Sequence, residues 1–248
     1  MAIRLLKVAK RIKTEFHIHT KYSHDSNMGK FALYVMCKLR GVNCLAITDH
    51  NETDGAIAYK PWLESKGIQV IIGEEIFTSE GEIIGLFLSE KVQPQLTPEE
   101  TIREIKRQNG IVYVPHPYDE KRHRTVLDLE ALARCASQID CVEVHNGRNI
   151  KPDYSIKQSQ IANRFKLQPI VGCDAHCFFE IGRNTCITCV PFSKNAFKDL
   201  LKTAEFQTSN CLRLSHQVTR LVRLGKIVLK GDFSGLRRAL NRKLTRRK

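Results

Sequence analysis

The stretch EFHIHTKYSHDS, residues 15–26, ends a short apolar run with two histidines one residue apart. Side chains of a β-strand alternate with period two, so His17 and His19 point to one side, where two imidazoles can grip one cation. Ser23, His24 and Asp25 follow within a few residues. Taken alone, one HxH pair fits a half-exposed strand that happens to carry histidines equally well. The rest of the chain decides between the two.

Apolar, β-branched runs at 16–18, 44–48, 69–72, 83–88, 111–114, 141–144 and 170–172 alternate with helical patterns. TPEETIREIKRQNG, residues 97–110, shows how such a helix is bounded. Thr97 is the N-cap, Pro98 comes first, Glu99 and Glu100 fill the first turn, and Gly110 closes the segment. Repeated βα units imply a parallel sheet or a barrel. Nearly every strand candidate ends in metal-ligand chemistry: His17/His19, Asp49/His50, Glu74/Glu75, His116, Glu143/His145 and Asp174/His176. In α/β barrels the C-terminal strand ends converge on one face, which carries the active site. A core histidine usually comes alone, so this pattern predicts a metal centre.

At 248 residues, the length suits one domain of barrel size. No apolar run approaches the roughly 20 residues of a membrane span. The first sixteen residues lack the apolar core and small-residue cleavage site of a signal peptide. Nine cysteines, odd in number and mostly inside apolar runs, fit the reduced thiols of a cytoplasmic protein. Cys186 and Cys189 form a CxxC, but no second one follows, so they read as strand or loop residues. The net charge of +14 belongs to the two ends. From Arg213 onward twelve basic residues face Asp232 as the one acid, and residues 1–14 add five more basic residues and no acid.

HIHTKYSHDS, AITDHNETDG, IIGEEI, VPHPYD, VEVHNGR and GCDAH, in this order, resemble the motifs of the PHP family, named for polymerase and histidinol phosphatase. HxH is weakly specific; HxHT, TDH, GxE, HP and GxDAH in sequence are highly specific. They span residues 15–176, about two thirds of the chain. The resemblance implies a distorted (β/α)7 barrel, expected over residues 1–211; the charge and apolar pattern of residues 212–248 add a basic amphipathic helical extension. The resemblance further implies two or three divalent cations on the rim, used to hydrolyse phosphate esters. By the same resemblance His17, His19, Glu75 and Asp174 form a first metal site. Glu75 bridges to a second ion held by His116 and His145, while Asp25, His50 and His176 hold a third. His24 competes with Asp25, which is preferred for its spacing from Ser23. Glu82 stands where some relatives carry a histidine, and reads as a solvated turn carboxylate.

Mixed imidazole and carboxylate ligands suit Zn, Mn or Fe. Arginines hold phosphate oxygens in bidentate fashion. Arg148 and Arg183 are the best candidates for that task, with Arg122 and Arg124 contacting the rest of the substrate. Glu75, Asp49, Arg148 and Arg183 make up the candidate catalytic set, Asp49 orienting His50 or a bound water. The expected reaction is hydrolysis of a phosphorylated small molecule or nucleotide. The alternatives are a 3′–5′ exonuclease acting on nucleic acid, a non-catalytic PHP binding module, and an amidohydrolase-type barrel, which needs fewer ligands than this chain supplies.

The basic extension offers two amphipathic helices, one carrying Leu214, Val218, Leu221, Val222, Leu224 and Val228, the other Phe233, Leu236, Leu240 and Leu244. Their apolar faces either pack on the barrel or bind an anionic membrane surface, which would place a cytoplasmic protein at the membrane periphery. Nucleic acid is the weaker partner, because few aromatic residues lie among these charges.

Overall fold

The structure, a computed structural model, describes residues 11–210, 213–229 and 231. The second tail helix expected over 233–244 lies outside the described residues. Nine strands form one sheet: β1 (Ile12–Ile18), β2 (Cys44–Ile47), β3 (Gln69–Thr78), β4 (Gly81–Leu86), β5 (Ile111–Val114), β6 (Cys141–Asn146), β7 (Gln168–Gly172), β8 (Thr185–Thr188) and β9 (Glu205–Gln207). Their order is β7-β6-β5-β4-β3-β2-β1-β8-β9. Helices α1 (Lys30–Arg40), α2 (Asp54–Ser65), α3 (Pro98–Arg107), α4 (Leu129–Cys135), α5 (Asp153–Phe165), α6 (Phe197–Thr203) and α7 (Arg213–Leu229) surround it.

The result is the expected distorted α/β barrel, with two strands reversed, β4 and β8. β1, β2 and β3 run parallel, as do β5, β6 and β7, but β4 is antiparallel to both neighbours. β3 and β4 make a tight hairpin in which Phe77 faces Glu82. The barrel closes where the chain leaves β7: Cys173 N–H donates to Phe16 O (2.9 Å), Ala175 N–H to His17 O (3.1 Å), and His19 N–H to Ala175 O (2.9 Å). Closure therefore takes place at the rim, among the expected ligands. Thr97 caps α3 as the sequence pattern requires, in a capping box with Glu100.

Strand alternation sorts the core into layers. Phe16, Ala46, Ile71, Ile84, Tyr113, Cys141 and Ile170 fill the barrel interior, with Phe192 and Phe197 of the α6 region packed against them. Residues of opposite parity, such as Leu45, Ile47 and Val70, pack outward in a cluster that includes Leu33 of α1 and Leu63 of α2. Val112, Val114 and Val142 do the same with residues of α3, α4 and α5.

Two bulges interrupt this alternation, and both lie at the rim. In β1 the register slips by one residue between Glu15 and Ile18, and His17 takes φ 66°. Phe16 belongs to the inner core and Ile18 to the outer one, so the bulge reverses the parity of the strand end. His17 and His19 face inward because of it. Period two correctly predicts that they share a side, but an unbulged strand would have turned both away from the interior. In β6 the register slips between Glu143 and His145, with consequences for His145 described below.

Candidate metal centre

Glu75, near the end of β3, is 1% exposed. Each of its carboxylate oxygens meets two imidazoles: Oε1 lies 3.1 Å from His17 Nε2 and 3.1 Å from His116 Nε2, Oε2 lies 2.9 Å from His50 Nδ1 and 3.4 Å from His19 Nε2. Asp174 Oδ1 is 3.7 Å from His17 Nε2 and 3.5 Å from His19 Nε2. Asp25 Oδ1 is 3.3 Å from His176 Nε2 and 3.6 Å from His50 Nε2. The rings of His19 and His50 stack with centroids 4.4 Å apart, and those of His19 and His176 lie 4.1 Å apart. Ligand atoms thus gather into several triads, among them His17/His19/Asp174, His17/Glu75/His116, His19/His50/His176 and His50/Glu75/Glu82.

Eight of the nine expected metal ligands come together here. Asp25 reaches His50 and His176, whereas His24 has a side chain 51% exposed and approaches Asp25 only at 3.7 Å. His24 still joins Asp25 and His50 in an outer triad. His145 does not join the cluster. The β6 bulge turns His145 outward, and its Nδ1 meets Ser155 Oγ of α5 at 2.8 Å. Asn146 takes the inward direction instead and donates from Nδ2 to Glu143 Oε2 (2.7 Å).

Glu82 takes the place that His145 was expected to fill. It is 4% exposed, not a solvated turn residue, and its oxygens lie 3.5 Å from His116 Nε2 and 3.7 Å from His50 Nδ1. Read as a hairpin, IIGEEIFTSEGEIIGL places Glu82 on the same sheet face as Glu75, because Phe77 pairs with Glu82 and Glu75 with Ile84. Two separate strands with Glu82 in the turn hide that relation.

A second layer of side chains sets the imidazole tautomers. His17 Nδ1 donates to Glu143 Oε1 at 2.8 Å, and Glu143 also accepts from Tyr113 Oη and, at 2.7 Å, from His116 N–H. Ser23 Oγ donates to Asp49 Oδ1 (2.6 Å), so His19 Nδ1, 3.1 Å from the same oxygen, must be the donor of that pair. His176 Nδ1 donates to Asp174 O at 2.9 Å. In all three rings Nε2 is the atom presented to the cluster. Asp49 does not face the cleft: its oxygens accept from Thr20 N–H (2.6 Å), Thr20 Oγ1 (2.7 Å) and Ser23 Oγ. It positions the loop after β1 rather than touching the reacting atoms.

The electrostatics match ligands for cations. Burial opposes ionisation of Glu75, but His17 and His50 outweigh it and hold the carboxyl well below its usual range. Burial opposes the charged form of Asp174 too, and Arg122 and His17 overcome it. His19 is held well below the ordinary imidazole value, first by burial and then by His176 and His50, which leaves it neutral. Burial and the charge of Glu75 push Glu82 well above the usual carboxylate range, so without a cation it keeps its proton. His17 Nε2, His19 Nε2, Asp25 Oδ1 and Glu75 Oε2 are buried with no hydrogen-bond partner among the described residues. Orphaned buried atoms of this kind are costly, and divalent cations would satisfy them. The residues present fit such a group. Backbone strain accompanies the arrangement, since His17, His116 and Asp174 all have positive φ.

Of the expected substrate-binding arginines, two line the cleft above the cluster and two do not. Arg122 Nη2 pairs with Asp174 Oδ2 at 2.5 Å. Arg148 is 4% exposed and donates to Thr219 Oγ1 from both terminal nitrogens at 3.0 Å. Arg183 instead donates to Asn210 O, and the exposed Arg124 lies over the Phe77 ring. The cleft has a volume of about 730 Å³ and is walled by Asp25, His176, Arg122 and Arg148 on the barrel side.

A family profile for the PHP domain matches residues 15–147. The chain belongs to the PHP family. Two uncharacterized proteins of Methanocaldococcus jannaschii are similar to it. One is 43% identical over 120 residues, covering 43% of this chain and 68% of its own; the other is 30% identical over 173 residues, covering 69% and 68%. Among solved structures, PsfC from Pseudomonas syringae matches with a TM-score of 0.59 at 15% identity, over 89% of this chain and 99% of its own. A Bifidobacterium adolescentis protein, proposed to be a metal-dependent phosphoesterase, matches with a TM-score of 0.57 at 16% identity, over 76% and 95%. An amidohydrolase from Chromobacterium violaceum matches with a TM-score of 0.54 at 17% identity, over 66% and 87%. At such identities these likenesses speak to the fold. Together with the ligand cluster, family membership places this PHP chain among metal-dependent hydrolases.

Gly172 shows how closely the second layer is fitted. A Cβ there would lie 1.8 Å from Glu143 Oε1 and 2.6 Å from Tyr113 Oη. Gly172→Ala should displace Glu143 from His17 and weaken Mn or Zn binding about 10–100-fold, as loss of an outer-layer partner does. Equilibrium dialysis of the folded variant measures this, and wild-type affinity would show that Glu143 does not position His17.

Proposed function

We propose that this protein hydrolyses a phosphate ester at a cluster of two or three divalent cations. The observation that carries the reading is Glu75, a buried carboxylate with two imidazoles at each oxygen, a donor set that would hold divalent cations. His17, His19 and Asp174 would hold one ion with Glu75; His116 and Glu82 a second; Asp25, His50 and His176 a third. Zn, Mn and Fe all suit this mixture of nitrogen and oxygen ligands. Cations bound there would supply Lewis acidity and a water acidic enough to ionise near neutral pH.

The remaining work falls to the chain's own groups. Arg148, almost fully buried, is held by Thr219 with its guanidinium at the cleft, where it can bind non-bridging phosphate oxygens. Arg122 holds Asp174 in its ionised form and presents the rest of its charge to the same space. Glu143 and Ser23 keep Nε2 of His17 and His19 directed at the reacting centre. The rim lies at the C-terminal strand ends, as in other α/β barrels.

Glu75→Gln and His19→Ala should each lose nearly all phosphoesterase activity, measured on a panel of phosphomonoesters, nucleotides and phosphodiesters. Circular dichroism should remain that of the folded protein. An amide cannot return the charge that the cluster requires. Wild-type rates in both variants on the best substrate would refute the reading.

An anionic membrane surface is proposed as a partner for the outer face of α7. Leu214, Leu221 and Val228, seven residues apart, are 55%, 68% and 53% exposed, so the helix turns apolar side chains to solvent rather than packing them all on the barrel. The basic excess beyond Arg213 complements anionic headgroups, each basic residue contributing about 1 kcal/mol near such a surface. Leu221→Glu combined with Val228→Glu should abolish co-sedimentation with phosphatidylserine vesicles. Retained binding by that variant, or none by the wild type, would count against the membrane.

A further inference from the structure

Helix α7 lies outside the matched PHP segment, yet it forms one wall of the metal cleft. It is pinned at two points. Near its start Ser215 is fully buried, and Thr219 Oγ1 accepts from Arg148 in the loop after β6. Near its end Lys226 Nζ donates to the carbonyl oxygens of Lys21 (2.8 Å), Ser23 (2.6 Å) and Ser26 (2.5 Å), in the loop that carries His24 and Asp25. The helix therefore runs across the mouth of the barrel with its polar side inward.

Between the two anchors stand Arg220 and Arg223, both lining the cleft. At a spacing of three they are neighbours on one helix face, with Cβ atoms about 5–6 Å apart. Neither forms an ion pair with any described residue, in contrast to Arg122, which is held by Asp174 and Asp119. No acidic residue occurs in α7 to compensate them. Asp25, Glu82, Asp119 and Asp174 also line the cleft, but none of them lies within ion-pair distance of these two arginines. Two neighbouring guanidinium groups over a cleft, with no ion-pair partner among the described residues, match the oxygen fork of a phosphate. On the proposed reading Arg148 and Arg122, which line the barrel side of the cleft, would serve the reacting phosphoryl group, so the α7 pair is available for another one.

We propose that Arg220 and Arg223 form a second phosphate subsite at the mouth of the cleft, and that the substrate is a phosphoester carrying a second phosphate group. This rests on the phosphoesterase reading for the identity of the first group, while the subsite itself can be tested without turnover. Isothermal titration of the metal-loaded full chain with inorganic phosphate should reveal two sites. Arg220→Gln combined with Arg223→Gln should lose one of them, with at least a tenfold weakening, and leave the thermal melt unchanged because both side chains are exposed. Glu75→Gln should lose the other site and keep the α7 one. Acetate should compete at the α7 subsite at least tenfold less well than phosphate. Arg103→Ala, on α3, should leave both sites intact. Phosphate binding that survives the double arginine substitution would overturn the proposal, and acetate binding as tight as phosphate would overturn the assignment of the second group. A wild-type chain with one site, lost with Arg220 and Arg223 but not with Glu75, would sink the phosphoesterase reading and leave the subsite standing.

Discussion

A carboxylate buried among four imidazoles governs this structure. Removing Glu75 from water costs several kcal/mol unless charge or hydrogen bonds replace the lost hydration. His17, His116, His19 and His50 do so from two sides. Those imidazoles come from β1, from the segment after β5 and from the segment after β2, so satisfying one carboxylate draws strand ends from around the barrel to one point. Without cations the cluster shares protons, with His17 and His50 held above and His19 below the ordinary imidazole value. Cations would replace those protons at the same atoms.

The features that look irregular elsewhere in the fold serve this convergence. The β1 bulge brings His17 and His19 inward, and the positive φ of His17, His116 and Asp174 aims their side chains at the cluster. Reversal of β4 places Glu82 beside Glu75. The strands contribute hydrogen-bonded rigidity below the rim, while the layered cores fix the wall against which these local distortions are held. The loop after β1 is tied from below by Asp49 and from above by Lys226. α7 thereby belongs to the cleft and not only to a basic tail.

Much of this was legible in residue order. Alternating β and α patterns with ligand residues at strand ends implied a barrel and located the rim, because side-chain period and strand polarity are local properties. Spacing favoured Asp25 over His24, and it is Asp25 that reaches both His50 and His176. What escaped depended on register and on antiparallel pairing, which are not local. His145 and Glu143 are both reasonable ligands under strict alternation, and a one-residue bulge separates their roles. Glu82 became visible only once β3 and β4 were paired. Arg183 and Arg124, chosen for their charge and place in loops, turn to Asn210 O and to Phe77. The inward side of α7 was hidden for a different reason: its apolar pattern suggests burial, whereas its docking runs through Thr219 and Lys226 to polar backbone and Arg148.

The central claim is that Glu75 and its imidazoles exist to hold cations. Anomalous diffraction from crystals equilibrated with manganese, collected on both sides of the manganese absorption edge, tests it most directly. The account predicts at least two anomalous peaks flanking Glu75, each about 2.0–2.3 Å from imidazole nitrogens or carboxylate oxygens of the cluster. A folded chain with full metal excess and no anomalous peak beside Glu75 would contradict it.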